Sequence, residues 1–345
     1  MEPQIGKVKL SVLIVLRNEE GYIEKLLTGL INQTLNSSKY EIILVDGMSS
    51  DNTVKIINQI TNKYPNSIRL LSNPRKTLPP GWNIGIRASK GDYIIRIDGH
   101  TSIPNDFLEN YMKLIHNQPD VDCVGGIIKS VGNGFQGYIN QYVYSHPFGV
   151  GNSKFRTTKG VWEGYVDTVP YGAYKREVFD QVGYFNEDLK RNEDIEFHKR
   201  MKDNEMTFFL STSIWSTYFV RPTLNGLIKK SLGDGTWTMI ADQATPGSLR
   251  TRHKAPLYAF LLGLISVLFA VVFPAFVWFL LAIGIIYIVG ASAASSNLVK
   301  EKGIGYFLPA IGTFFCLHFF RGLGCFLAFF KKEYWLVRSK RHSTK

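Results

Sequence analysis

The sequence has 345 residues and a formal net charge of +12, and it contains no internal repeat and no low-complexity tract. This length allows one large α/β domain with appended segments. The three cysteines, Cys123, Cys316 and Cys325, form no C-x-x-C pair. A disulfide framework is therefore not expected, and the pattern fits a reducing compartment.

The positive charge is concentrated beside two apolar segments. The basic residues there are Lys229, Lys230, Arg250, Arg252, Lys254, Lys331, Lys332, Arg338, Lys340 and Arg341. Net charge of this size is typical of nucleic-acid-binding proteins. Basic residues that flank apolar segments instead bind anionic headgroups on the cytoplasmic side of a membrane. We therefore expect a membrane partner and no nucleic acid.

The first hundred residues alternate strand and helix patterns. Short apolar runs predict strands at Leu10–Leu16, Tyr40–Val45, Ile68–Leu71 and Asp92–Ile97. Apolar residues at helical spacing predict helices within Glu19–Ile31, Thr53–Lys63 and Trp82–Ala88. This alternation predicts an α/β fold, in which helices cover both faces of a mostly parallel sheet. Ligands bind such sheets beyond the carboxyl ends of the strands.

The later part of the soluble region is less regular. Gly125–Tyr174 is rich in glycine and aromatic residues without a long periodic run, so we expect loops over the sheet edge. Glu193–Met206 has a helical pattern, in which we expect His198 and Arg200 to be solvated. The N-terminal MEPQIGKVK has no apolar region with a cleavage site. No signal peptide is expected, and residues 1–245 are predicted to form a cytoplasmic domain.

The C-terminal part has the composition of a membrane module over residues 255–330. Residues 255–299 contain no Asp, Glu, Lys or Arg. One crossing needs roughly 20 residues, so we predict two transmembrane helices, near residues 256–273 and 275–294. A third apolar segment, residues 304–330, either spans the membrane or lies at its interface. An interfacial placement keeps the basic tail, residues 331–345, cytoplasmic, as the positive-inside rule favours. We thus expect a multi-pass protein of the cell membrane.

Four short features follow one another in the soluble region. They are SVLIVLRNEE with Arg17 and Glu19, VDGMSSDNT with Asp46 and Ser49, RIDGHTSIP with Asp98 and His100, and KRNEDIEFHKR with Glu193 and Asp194. Each alone has a structural explanation, since Asp-Gly is a common turn and acidic residues complement a helix start. In this order, the set resembles the family 2 inverting glycosyltransferases with a GT-A (Rossmann-like) fold. GAYKREVFDQVGYFNEDL is similar to the family's segment before the catalytic Glu-Asp. Within the family, the set is similar to the exopolysaccharide glucosyltransferases of the succinoglycan type, and HFFRGLGCF resembles the tail of that branch.

The resemblance implies roles for the donor-side residues. Asp46 matches the carboxylate that recognises the base, where it would accept a hydrogen bond from uracil N3–H. Arg17, Glu19 and Ser49 accompany it at the nucleotide-sugar site. Asp98 matches the first acid of the D-x-D metal motif, which faces the ribose and a divalent metal, Mn2+ or Mg2+. The partner implied is a UDP-sugar.

The resemblance also implies the catalytic pair, and it has two departures. Asp194 matches the catalytic base, and Glu193 orients the acceptor or its neighbour. His100 replaces the second acid of D-x-D, and it either ligates the metal or donates a hydrogen bond to phosphate. Trp237 lies where processive members carry Q-x-x-R-W, but the Gln and the Arg are absent, which favours the addition of a single sugar.

We therefore predict an inverting, non-processive transferase that moves a sugar, glucose from UDP-glucose by resemblance, onto a lipid-linked oligosaccharide for cell-surface polysaccharide. A polyprenyl-phosphate glycosyltransferase is the alternative of the same class. A sugar nucleotidyltransferase would need a glycine-rich loop after the first strand, where this chain has RNEEGYIEK. A non-catalytic membrane scaffold would have no need for Asp46, Asp98 and Asp194 at separate element ends.

Overall fold

The computed structural model describes residues 9–64 and 68–343. Its strands are β1 (Leu10–Leu16), β2 (Tyr40–Asp46), β3 (Ile68–Ser72), β4 (Tyr93–Asp98), β5 (Thr101–Ser102), β6 (Cys123–Val131), β7 (Glu163–Val166), β8 (Ala173–Lys175) and β9 (Phe208–Phe219). Its α-helices are α1 (Ile23–Ile31), α2 (Thr53–Lys63), α3 (Leu78–Ala88), α4 (Phe107–Asn117), α5 (Gly134–Ser145), α6 (Pro147–Val150), α7 (Lys154–Thr157), α8 (Arg176–Val182), α9 (Glu193–Asp203), α10 (Leu224–Ala244), α11 (Thr251–Val272), α12 (Phe276–Lys302), α13 (Phe307–Ala328) and α14 (Lys332–Ser343).

The described strands form one mixed sheet in the order β3-β2-β1-β4-β8-β6-β9-β5, with β7 paired to β9. The strands β3, β2, β1 and β4 are parallel to their neighbours. Antiparallel pairings join β8 to β4 and β6, and join β5 and β7 to β9. The predicted α/β fold class is confirmed. The parallel portion of the sheet consists of the four strands that were predicted in the first hundred residues.

β1 shows why helices cover both faces of the sheet. All seven of its residues are buried. Successive side chains of a strand point to opposite faces. Ile14 and its alternate neighbours join the core cluster with apolar residues of α1 and α4, whereas Leu13 lies against Gly85 of α3. A continuous apolar run in the sequence is therefore the result of burial on both sides.

Two regions differ from the prediction. The first helix begins at Ile23 rather than near Glu19, because the preceding turn is held by the start of α2. There, Thr53 Oγ1 accepts from the Glu19 backbone amide at 2.8 Å. The expectation of loops over Gly125–Tyr174 is wrong, since β6 continues to Val131 and α5 follows. The sequence pattern hid α5 because its buried face includes Asn140, whose side-chain amide donates to the Arg221 carbonyl at 2.7 Å.

The chain divides into two compact units. The first contains the described parts of Met1–Lys129 and Thr158–Phe219, and the second contains those of Ser130–Thr157 and Val220–Lys345. Within the described residues, three helical segments are long and apolar enough to cross a membrane, Thr251–Val272, Phe276–Lys302 and Ile304–Ala328. The domain boundaries drawn from the sequence, at residues 245 and 255, stay predictions.

The expectation that His198 is solvated is wrong. Its imidazole is 1% exposed, and it lies between the Tyr174 hydroxyl, 2.7 Å from Nε2, and Thr168 Oγ1, 2.7 Å from Nδ1. Burial, and then the positive charges of Arg96 and Lys202, hold the pKa of His198 well below its usual value. His198 is therefore neutral at neutral pH, and its two hydrogen bonds join α9 to β8 and to the segment before it.

The buried neutral imidazole predicts a loss of stability in acid. Because the pKa of His198 is lower in the folded than in the unfolded chain, the unfolded chain binds the additional proton once the pH falls below about 6.5. Stability should fall by up to about 1.4 kcal/mol per pH unit below that point. We expect His198→Gln to remove part of the decrease in Tm between about pH 7.5 and about pH 5.5. The exposed His116 provides the control, and an equal decrease in the His198→Gln and His116→Gln variants would contradict the assignment.

Candidate functional site

Two carboxylates end the parallel strands that lie on either side of β1, at one edge of the sheet. Asp46 is the last residue of β2 and pairs with Leu16, while Asp98 is the last residue of β4 and pairs with Val15. The register of β1 with both strands therefore brings together the two acids that the sequence singled out. Arg17 follows β1 between them and is exposed. This edge is the one at which parallel sheets bind ligands.

The Asp46 carboxylate is fixed by its own turn. Ser49 donates its amide to Oδ2 at 3.0 Å and its hydroxyl to Oδ1 at 2.5 Å. The Asn18 amide then donates to Ser49 Oγ at 2.9 Å. The turns after β1 and β2 thus hold each other, and the predicted residues Arg17, Asp46 and Ser49 belong to one cluster of loops. A carboxylate oriented in this way retains lone pairs that can accept from a ligand.

The Asp98 carboxylate is held by a partly buried tyrosine. Tyr171 donates its hydroxyl to Asp98 Oδ2 at 3.2 Å, and Thr101 donates to the Tyr171 hydroxyl at 2.9 Å. Tyr171 has a positive φ of 47°, and its carbonyl accepts from the Tyr111 hydroxyl at 2.6 Å. Burial, and then the charge of Asp98, raise the pKa of Tyr171 well above its usual value. It therefore remains a neutral donor to the carboxylate.

Glu19 and His100 form a pair at the same edge. The Glu19 Oε1 lies 3.0 Å from His100 Nδ1. The approach depends on Gly99, because a Cβ atom there would lie 2.9 Å from the Glu19 Cγ and 3.2 Å from the Leu16 Cβ. The structure thus places Glu19 against the imidazole that replaces the second acid of D-x-D. A carboxylate on one ring nitrogen is the usual means of orienting a histidine ligand.

Asp98 and His100 fit a metal ion that is held jointly by the protein and the substrate phosphates, rather than one held by protein side chains alone. Among the described residues, no group of three or more His, Cys, Asp or Glu side chains could hold a metal ion. Asp98 and His100 are two residues apart and offer one oxygen and one nitrogen donor. Divalent metals at phosphoryl sites commonly take only one or two protein ligands, with substrate phosphates completing the shell. The two side chains fit a metal of that kind.

Glu193 lies in the interior and pairs with Arg96 of β4. The Glu193 Oε1 accepts from Arg96 Nη2 at 2.9 Å and from the Trp82 indole nitrogen at 3.3 Å. The Arg96 guanidinium lies 4.5 Å from the ring centre of Trp82 and 4.6 Å from that of Phe185. Glu193 is only 4% exposed. This placement favours an indirect role, through Arg96, over direct contact with an acceptor.

Opposing charges act on this pair. Burial raises the pKa of Glu193, and the carboxylates of Asp194 and Asp98 raise it further, while Arg96 lowers it. For Arg96, burial acts to lower the pKa, but Tyr174, Glu193, Asp194 and Asp98 more than offset it, so its pKa is raised. Arg96 is therefore a permanent cation, and it favours the charged form of Glu193.

Asp194 is placed by the start of α9. It is the second residue of that helix, after Asn192 in a left-handed conformation with φ of 60°, and its Oδ1 accepts from the Ile195 amide at 2.9 Å. Arg96 and Asp98 are two residues apart on β4 and so share one face of the strand. The Arg96–Glu193 bond consequently links the residue next to Asp194 with the strand that ends in Asp98.

The sequence prediction missed four residues that support the site, Trp82, Arg96, Tyr171 and Tyr174. One signal was present, because an arginine inside the apolar strand YIIRID needs a buried anionic partner. No local pattern marks the aromatic residues, since their partners are remote in the sequence.

Comparison with known proteins supports the interpretation of these motifs. A model of the family described as Glycosyl transferase family 2 matches residues 11–183. The dolichyl N-acetyl-alpha-D-glucosaminyl phosphate 3-beta-D-2,3-diacetamido-2,3-dideoxy-beta-D-glucuronosyltransferase of Methanococcus voltae is 28% identical over 232 residues, which are 66% of this chain and 71% of that protein. The succinoglycan biosynthesis protein ExoA of Rhizobium meliloti (strain 1021) is 25% identical over 228 residues, 65% of this chain and 67% of that protein.

A solved structure supports the fold. The mannosyltransferase PcManGT from Pyrobaculum calidifontis, in complex with GDP-Man and Mn2+, matches with a TM-score of 0.60 at 16% identity, covering 94% of this chain and 88% of that chain. The predicted GT-A fold is thereby confirmed. ExoA is one of several relatives, so the comparisons identify the family and not the succinoglycan-type branch. With more than half of the chain matched by the family model, the chain belongs to glycosyl transferase family 2 and is a nucleotide-sugar-dependent glycosyltransferase.

Proposed function

We propose that the chain transfers one sugar, with inversion, from a UDP-sugar to a lipid-linked acceptor at a membrane. The observation that carries the proposal is the grouping of Asp46 and Asp98 at one sheet edge, with Asp194 linked to the same strand through Glu193 and Arg96. Glucose is the sugar that the succinoglycan-type resemblance favours. The product is a cell-surface glycan intermediate, and the catalytic part of the chain is cytoplasmic.

On this proposal, the donor binds along the edge formed by β1, β2 and β4. Asp46, oriented by Ser49, accepts from the uracil N3–H. Arg17, exposed directly after β1 at the same sheet edge, pairs with the diphosphate. Asp98, held by Tyr171, faces the ribose. A divalent metal held by Asp98 and His100 would neutralise charge on the diphosphate as it leaves.

Asp194 is the proposed base. It removes the proton of the acceptor hydroxyl while that oxygen attacks the sugar C1 from the face opposite the diphosphate. The new C1–O bond forms as the bond from C1 to the diphosphate breaks, and the nucleoside diphosphate departs with the electron pair. One displacement inverts the configuration, so no covalent nucleophile is required.

The acceptor assignment is supported by the C-terminal helices and by the relatives. Three apolar helical segments have the length and composition of membrane spans. The Methanococcus voltae relative is named for action on a dolichyl N-acetyl-alpha-D-glucosaminyl phosphate, and another relative is a succinoglycan biosynthesis protein. A polyprenyl-phosphate acceptor is the alternative within the same class. That lipid carries no sugar before the transfer, whereas a lipid-linked oligosaccharide already does.

The full-length protein in native lipid extract should transfer label from one nucleotide sugar to the lipid fraction. We expect UDP-glucose to be the best donor among radiolabelled UDP-glucose, UDP-N-acetylglucosamine and GDP-mannose. Asp194→Asn should lower transfer by roughly 10²–10⁴-fold, because it keeps the shape of the side chain and removes its basicity, while UDP binding measured by calorimetry stays within about twofold of wild type. Label that stays in the aqueous fraction with every donor would exclude a lipid-linked acceptor, and an active Asn variant would exclude Asp194 as the base.

The Arg96–Glu193 pair predicts a specific pattern in a double-mutant cycle. Arg96→Gln and Glu193→Gln each leave a buried charge without its partner and should lower kcat on the order of 10²-fold through displacement of Asp194. The double variant replaces the ion pair with a neutral amide pair and should recover at least about tenfold, with the KM for the donor nearly constant throughout. Purely additive losses in kcat would show that the two residues act independently.

The His100 position predicts a change in metal preference. A nitrogen and oxygen donor pair favours manganese over magnesium, whereas two carboxylates suit magnesium. We expect His100→Asp to lower the ratio of manganese-supported to magnesium-supported activity, and His100→Ala to weaken activation by both ions. Equal ratios for wild type and the Asp variant would instead support a hydrogen bond from His100 to phosphate.

A further inference from the structure

The third apolar helix, α13, is packed closely against a charged helix. Gly235 of α10 faces the Arg321 carbonyl, and Gly324 of α13 faces the Leu232 carbonyl, so that a Cβ at either glycine would lie within 2.3 Å of the opposing oxygen. The Thr236 hydroxyl also donates to the Gly324 carbonyl at 3.0 Å. The two backbones thus touch, and α10 must occupy the same depth as the middle of α13.

The charged side chains of α10 make it unsuited to the hydrocarbon core of a bilayer. It carries Lys229, which is exposed, and an ion pair in which Lys230 Nζ lies 3.0 Å from Asp234 Oδ2. Arg321 adds a further charge on α13 at the level of Gly235. If α13 crossed the bilayer, these charges would lie near its centre, where charged side chains are strongly disfavoured.

α13 also crosses α11 instead of running along it. Phe260 of α11 contacts both Phe319 and Phe326 of α13, with ring centres 5.5 and 5.6 Å apart, and Gly322 between them faces the Pro256 carbonyl. Two turns of α13 therefore meet one turn of α11 near its start. Beyond this crossing, the rest of α11 and the first part of α12, as far as Ile286, carry many exposed apolar side chains. Tyr287 of α12 then meets α13, with its hydroxyl 2.9 Å from His318 Nδ1.

The outward face of α13 and α14 combines apolar and basic side chains. Large exposed apolar residues are Leu308, Phe315, Phe319, Leu327, Phe330, Trp335 and Leu336. Exposed basic residues follow at Lys331, Lys332, Arg338 and Lys340. Apolar and aromatic residues beside lysines and arginines are typical of helices that lie in the headgroup region of an anionic membrane.

We propose that α13 and α14 lie in the plane of the membrane interface on anionic lipid, and that only α11 and α12 cross the bilayer. This inference rests on the membrane attachment in the proposed function and goes beyond it in naming the lipid-facing surface. Both α10 and the C-terminal helix then lie on one side of the membrane. α13 joins the base of the α11–α12 pair to the lipid surface, where the head of a lipid-linked acceptor would lie.

Depth measurements test the orientation of α13. Leu308 and Leu327 are about 28 Å apart along the helix, at about 1.5 Å per residue. Spin labels at Leu308→Cys and Leu327→Cys, in the full chain with native cysteines changed to alanine and transferase activity retained, report depth in vesicles containing phosphatidylglycerol. We expect both labels within about 5–10 Å of the phosphate level on one leaflet. Labels on opposite leaflets would overturn the proposal.

Sidedness provides an independent readout. Single cysteines at Asn225→Cys on α10, Ala275→Cys between α11 and α12, and Ser339→Cys on α14 can be labelled with an impermeant maleimide in sealed vesicles. The expected result is that the first and last react from one side and Ala275→Cys from the other. Reaction of Ser339→Cys together with Ala275→Cys would show a third crossing and overturn the inference. Reaction of all three from one side would overturn it as well, and would leave transfer to a lipid acceptor to be judged by the radiolabel assay alone.

Discussion

A buried guanidinium between two aromatic rings joins the strand that ends in Asp98 to the helix that begins beside Asp194. The bond from Arg96 to Glu193 is 2.9 Å long and is shielded by Trp82 and Phe185. Charges buried in this way gain little net stability, because desolvation offsets their attraction, but removing one partner costs about 3–5 kcal/mol. Such a pair fixes geometry more than it raises stability. The position of the proposed base, Asp194, relative to Asp98 depends on it.

The parallel part of the fold and the two strand-terminal carboxylates were predictable from local sequence. Buried parallel strands are continuous apolar runs, and their carboxyl ends are where Asp46 and Asp98 appear. The structure adds what local patterns do not contain. Arg96 finds Glu193 97 residues later, and His198 is buried because Tyr174 and Thr168 satisfy both of its nitrogens. When the partners of a polar residue are distant in the sequence, local patterns predict that the residue is solvated or give it no role.

The same contrast holds in the C-terminal part. Composition alone predicted apolar helices near residues 256–273 and 275–294, and helices α11 (Thr251–Val272) and α12 (Phe276–Lys302) overlap these two ranges. Composition could not show which helix packs against which. That depends on glycines such as Gly235 and Gly324, whose missing side chains let two backbones meet. The sequence left residues 304–330 as either a crossing or an interfacial helix, and the charged neighbour α10 supports the interfacial placement.

The division of the chain also bears on its synthesis. α5 belongs to the second unit but precedes the residues that complete the first. Its buried Asn140 binds the Arg221 carbonyl, 81 residues later, and Gln136 binds Thr313 Oγ1, 177 residues later. At roughly 5–20 residues per second, the ribosome needs on the order of 10–35 s to supply the second of these partners. α5 therefore leaves the ribosome before these two partners have been made, and it can complete both hydrogen bonds only after α11 and α12 have been translated.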